Sequence, residues 1–181
     1  MVDSNKILAI QPHSEEAELA VLGSILSSKD AVSKSMGILK PEHFYKDIHQ
    51  KIFSAMQTLF DNSDPIDTLS VSNLLKKNKT LENIGGVYYL TGLVDSVPTA
   101  AHIDKYAKIV LEKATLRNLI SLSHDIAKKS YDDNQDIGDL LDNVEQSIFK
   151  LTQNNLRGGF KQINPIMIDA LDDLEEKRKK G

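Results

Sequence analysis

Residues 99–131, TAAHIDKYAKIVLEKATLRNLISLSHDIAKKSY, contain neither Gly nor Pro and carry apolar residues at spacings of three and four. That pattern predicts one long helix; about 32 residues at 1.5 Å rise make a rod of about 48 Å. A compact chain of this length has a radius of gyration of about 16 Å, so the rod is expected to project from a head. The polar turn Asp132-Asp133-Asn134-Gln135 leads into a second helix, where Ile137, Leu141, Val144, Ile148 and Leu151 step by 4, 3, 4 and 3, a two-heptad seam. The two should form an antiparallel hairpin. Its first arm, with Leu116, Leu119, Ile120, Leu122, Ile126 and Ala127, is too wide for one seam. Two helices bury only the faces they share, and apolar area left in water costs about 25 cal/mol per Å². Self-association through Leu116, Leu119, Leu122, Ile137, Leu141, Val144 and Ile148 is therefore expected.

On the N-terminal side the same spacing recurs and strand-like alternation is missing, so the fold class is all-α: a helical head over residues 1–98, then the hairpin over 99–154. Ser14 reads as an N-cap with Glu15, Glu16 and Glu18 in the first turn, where negative charge suits the helix dipole. Leu19, Leu22, Ile25 and Leu26 follow as its stripe. Asp30 is placed to cap a second helix. Asp47 opens a third, with Ile52, Met56, Leu59 and Phe60 on one side and a break at Asp61-Asn62-Ser63-Asp64-Pro65. Asp67 or Thr68 caps a fourth, ending at Lys76, Lys77 and Asn78. Gly85-Gly86 reads as a helix stop before Val87 to Val94. Beyond the hairpin, residues 155–163, with Arg157-Gly158-Gly159, read as a flexible linker. A last helix over 164–181 has Asn164 as N-cap, Pro165 at its first position, early Asp and late Lys and Arg. An isolated helix of that length is marginal. Its Met167, Leu171 and Leu174 stripe needs a groove, which points to a partner or to a longer parent chain.

Composition narrows the chemistry. Of 181 residues, 22 are Lys or Arg and 26 Asp or Glu, a net charge of −4, and there is no Cys. Thiolate nucleophiles, disulfides and Cys-ligated metals are thereby excluded, which fits a reducing cytoplasm. The start lacks a basic stretch leading into an apolar core, and no window reaches the ~18 apolar residues of a membrane span. A pI near 5.7 argues against the whole molecule clamping nucleic acid, although a local basic strip is compatible with it.

No catalytic residue emerges. None of the nine glycines precedes a Lys, so there is no phosphate-cradling loop, and G-x-G-x-x-G is absent. His13, His43, His49, His102 and His124 lack metal-ligand spacing and are expected at the surface or at helix ends. Asp132, Asp133 and Asp136 lack the Gly and distal Glu of a calcium loop. The cluster Lys76, Lys77 and Lys79 and the run Lys177-Arg178-Lys179-Lys180 read as dipole complements; a contact with nucleic acid or an acidic partner is the alternative. Tyr88-Tyr89 reads as core packing, with a protein-contact hot spot as its alternative. From these residues alone, the chain is a helical assembly or docking module. A free-standing adaptor and a small hydrolase are the competing readings.

Several blocks, in order and in spacing, resemble the N-terminal domain of bacterial replicative DNA helicases of the DnaB type. They are Pro12-His13-Ser14-Glu15-Glu16-Ala17-Glu18, Val21-Leu22-Gly23, His43-Phe44-Tyr45, HQKIFSAM over 49–56, Pro65-Ile66-Asp67 and LENIGGVYYLTGLVDSVPTAAHIDKYAKIVLEKATLRNLI over 81–120. The resemblance spans about residues 12 to 151, and Phe160 to Lys180 resembles the family's interdomain linker helix. His102 stands where the family usually carries Asn. The resemblance implies a collar of such domains, as dimer, trimer of dimers or hexamer, above motor domains that this chain lacks. ATP and Mg would belong to those motors, so no cofactor is expected here and this chain alone is not expected to be an enzyme. It also implies partners: the C-terminal helicase-binding domain of primase, a neighbouring subunit's motor domain receiving Met167, Leu171 and Leu174, a helicase loader, and single-stranded DNA threading the complete ring. Glu16, Tyr89, Ile120 and Ile126 match positions implicated in primase docking; burial in the hairpin seam is the alternative for Ile120 and Ile126.

Overall fold

The helix that organises the head is the first one, because it is apolar on several sides. The computed structural model describes residues 10–97, 100–132 and 136–156, and among them all regular structure is helical. The α-helices are α1 (Glu15–Ser27), α2 (Lys29–Ile38), α3 (Asp47–Asp61), α4 (Thr68–Lys77), α5 (Gly86–Asp95), α6 (Ile103–Ser130) and α7 (Ile137–Leu156). Short 3-10 turns lie at Pro41–His43, Glu82–Ile84 and Ala100–His102. The Ser14 hydroxyl accepts the Ala17 N–H at 3.3 Å, as its N-cap reading requires. From there α1 runs through the middle of the head against α2, α3, α5 and α6, burying Ala17, Val21, Leu22, Gly23 and Ile25. Gly23 makes the α1–α5 crossing close: a Cβ there would lie 2.2 Å from the Leu93 carbonyl oxygen.

Around α1 the local signals were mostly placed as the chain reads, with two corrections. Asp30 does not cap α2; Ser28 ends α1 and begins α2, its N–H donating to the Ser24 carbonyl at 3.0 Å, and Asp30 instead pairs with Lys34 at 2.9 Å. Phe60 does not join Ile52, Met56 and Leu59 inside; it is 41% exposed at the end of α3, while Phe53 fills the core against Phe44, ring centroids 4.9 Å apart. Asp67 caps α4 by accepting the Ser70 N–H at 2.8 Å. Gly85 and Gly86 have φ of +95° and +72°, left-handed backbone that glycine adopts without steric cost, and turn the chain into α5.

The long helix is shared between head and hairpin. It starts at Ile103, and its first three turns bury Ile103, Ala107, Val110 and Ala114 against α1 and α2. Past Ala114 no described side chain is fully buried. The division expected at residue 98 therefore falls inside the head's packing, and only the distal half of α6 projects, about 24 Å for 16 residues. Arg117 marks the rim of the head, donating to the Pro12 carbonyl at 2.9 Å and the His43 carbonyl at 2.7 Å. Helix α7 packs back on α6 and continues through residues 155 and 156, expected as linker. The remainder of that linker and the helix expected over 164–181, with Met167, Leu171 and Leu174, lie outside the described residues.

Candidate functional site

On the hairpin, the apolar supply exceeds what the two helices cover. The α7 side chains turned toward α6 are the half-buried Leu140, Val144, Ser147 and Leu151, and their counterparts on α6 are Leu122 and Ile126. The heptad seam read from the sequence is offset from this contact. Only Val144 and Leu151 of it are half-covered, whereas Ile137, Leu141 and Ile148 are 74%, 63% and 50% exposed. On α6, Leu116, Leu119 and Ile120 are exposed as well. At about 100° per residue, Leu116, Ile120 and Ala127 lie about 120° around α6 from the Leu122 and Ile126 side, and Ile137, Leu141 and Ile148 lie about 70° around α7 from the Leu140 and Val144 side. Both offsets run in the same rotational sense, and the helices are antiparallel, so the two strips line one outer face of the hairpin. Exposed apolar strips of this kind are what association surfaces present.

A second feature sits at the head, where α1, α3 and α5 meet. Glu18 is 2% and His49 0% exposed. The Glu18 carboxylate accepts the Tyr45 N–H at 2.7 Å and lies 2.6 Å from His49 Nδ1. His49 Nε2 is 2.7 Å from the hydroxyl of half-buried Tyr89. A carboxylate cannot donate, so Nδ1 carries the proton toward Glu18; with a neutral imidazole, Nε2 then accepts the Tyr89 hydroxyl proton. Burial pushes the Tyr89 phenol above its ordinary range, which keeps that proton in place. Just outside, Lys46 pairs with Glu15, raising the lysine and lowering the carboxylate through their hydrogen bond. His13 stacks on Tyr45 at 4.3 Å.

Of the docking candidates, Glu16 is exposed on the first turn of α1, and Tyr89 is part of this network. Ile120 is exposed and Ile126 half-buried on the hairpin, so two of the four positions lie on the head and two on the hairpin. Tyr88, read with Tyr89 as core, is instead 91% exposed. His49 lies at a helix end, in the first turn of α3, yet it is wholly internal, as is Glu18, read as a dipole partner. Helical register was the available signal: His49 precedes Ile52, Phe53 and Met56 by 3, 4 and 7, and Glu18 precedes Val21, Leu22 and Ile25 likewise. Lys76 and Lys77 occupy the last turn of α4, where cations favour the dipole. Among the described residues no group of three His, Asp or Glu is placed to hold a metal ion, and no helix is long and apolar enough to cross a membrane.

The described fold is an all-helical head bearing a two-helix hairpin with an uncovered apolar face. Residues 10–112 match the family model described as DnaB-like helicase N terminal domain, and the chain belongs to that family. It is 42% identical over 166 residues to the replicative DNA helicase DnaB of Geobacillus stearothermophilus and 38% identical over 167 residues to the replicative DNA helicase DnaC of Bacillus subtilis. Both matches cover 92% of this chain and 37% of the relative, so the chain spans little more than a third of their length. Among solved structures, the N-terminal domain of DnaB helicase from Mycobacterium tuberculosis superposes with a TM-score of 0.73 at 34% identity, over 78% of this chain and 99% of that one. A DnaB-like replicative helicase described with its interactions with primase gives 0.57 at 25% identity, over 88% of this chain and 35% of that one.

Proposed function

We propose that this chain is the collar portion of a hexameric replicative DNA helicase, pairing subunits through the hairpin and receiving primase on the ring during DNA replication. The observation that carries the reading is the uncovered apolar face formed by Leu116, Ile120, Ile137, Leu141 and Ile148. It is the element whose burial a second copy would supply, as dimer, trimer of dimers or hexamer. On this reading residues up to about 114 are the head, the remainder of α6 with α7 is the pairing element, and the segment over 164–181 docks Met167, Leu171 and Leu174 on a neighbouring subunit's motor domain. ATP, Mg and the unwinding of DNA belong to that motor, since no phosphate-binding loop is present in this sequence to hold a nucleotide. A cytoplasmic location follows from the same role. The helicase-binding C-terminal domain of primase is the docking partner, supported by the solved relative described with its primase interactions.

The test is a mass measurement of the chain with and without that primase domain. Self-association at tens of micromolar and a further complex with primase are expected. Tyr89→Ala and Ile126→Ala, checked for helicity and assembly, should each weaken the complex. A strictly monomeric chain at those concentrations overturns the pairing role; unchanged primase affinity in both variants overturns these contacts.

A further inference from the structure

We infer that Glu18 and His49 are positioning residues for docking: buried between α1 and α3, they hold the Tyr89 side chain of α5 in a single orientation for the partner that lands there. The inference rests on the proposed docking role of the head and deepens it.

Its ground is the placement of polar groups where packing does not need them. A carboxylate and an imidazole lie in the interior, 2% and 0% exposed, among Val21, Leu22, Ile52 and Phe53. Well-packed apolar residues of the same volume commonly give equal or greater stability than such a buried pair, so stability alone does not account for it. What the pair does uniquely is transmit a fixed geometry. Glu18 is anchored by the backbone N–H of Tyr45; Glu18 orients His49 at 2.6 Å, and His49 in turn holds the Tyr89 hydroxyl at 2.7 Å. A half-buried tyrosine held at its hydroxyl has less rotamer freedom left to lose. Prior ordering of a contact side chain strengthens binding by lowering that loss. The same bonds tie the first turn of α1 to the start of α5.

The experiment is a double-mutant cycle read as affinity for the primase C-terminal domain, with thermal midpoint and self-association measured alongside. His49→Phe keeps ring volume and removes the bond to Tyr89; it should weaken binding about 3- to 10-fold, the cost of releasing one side chain. In a Tyr89→Phe background the same change should have less than about a twofold effect, because the bond it acts through is already gone. His49→Gln, which offers Tyr89 an acceptor again, should recover most of the affinity. Equal losses from His49→Phe in both backgrounds would mean a general structural role and overturn the inference, as would full affinity in His49→Phe. If His49→Phe does not fold, Glu18→Gln runs through the same cycle with the same criteria. Failure of the underlying docking reading is separately visible, since the wild-type chain would then not bind the primase domain at all.

Discussion

Head and hairpin are both helical and both rich in Leu and Ile, yet they treat those side chains differently. In the head Val21, Leu22, Ile52, Phe53, Met56 and Leu90 are wholly buried, whereas beyond Ala114 nothing described is. The head closes because α1 is surrounded by four other helices, so apolar surface on several of its sides finds cover. The hairpin has two helices, and each covers one face of the other. Fully burying a Leu or Ile is worth about 1.5–3 kcal/mol, so the exposed side chains of the hairpin leave stabilisation unrealised within the chain. The contrast teaches that burial potential and burial are separate properties of a sequence: the same apolar periodicity finishes one core and leaves part of the other uncovered.

That contrast can be broken first where the head is tightest. Gly23→Leu would force a side chain against the Leu93 carbonyl, for which even a Cβ is too close at 2.2 Å. It should cost about 3 kcal/mol or more in urea unfolding, enough to lose much of the native state. An equally drastic change in the hairpin should behave oppositely. Leu141→Asp with Ile148→Asp should weaken self-association about 100-fold in sedimentation, close to 3 kcal/mol, while leaving the monomer's thermal midpoint nearly unchanged. A collapse of monomer stability there would show that the strip belongs to the chain's own core.

Two smaller effects sharpen the account of the head. Asp67→Ala removes the cap of α4 and should cost about 1 kcal/mol, without altering association. Weakest is a pH effect at His43, whose imidazole is held below its ordinary 6.5 chiefly by burial and whose Nδ1 accepts the Lys40 N–H at 3.1 Å. Its depressed value means that the unfolded chain takes the proton first. The contribution to stability is complete above pH 6.5 and is lost as pH falls from there through the folded-state value. Comparing thermal midpoints of the wild type and His43→Gln on either side of that pH should show a slope present only in the wild type.

Much of this was legible along the chain. Ser14 and Asp67 declare themselves as caps because an N-cap acts over three residues, and Gly85-Gly86 declares a stop because few other residues tolerate positive φ. The candidate surfaces were legible in composition but not in geometry. The heptad of α7 announced an interface at Ile137, Leu141 and Ile148, yet whether α6 or another chain meets it depends on a roll of about 70° around the helix axis that spacing does not encode. Tyr88 and Tyr89 are neighbours of one type, and only the packing of α5 on α1 and α4 separates the exposed ring from the one held by His49.

Local signals, acting over three or four residues, determined the all-helical class, most caps and stops, and the excess of apolar residues in the long arms. The tertiary structure alone decided that the first three turns of α6 belong to the head, that Glu18 and His49 face inward onto Tyr89, and which side of the hairpin stays uncovered. The reason is range: capping and periodicity are satisfied within one helix, whereas burial depends on how many other helices arrive at a given face, and those come from distant parts of the chain or from another molecule.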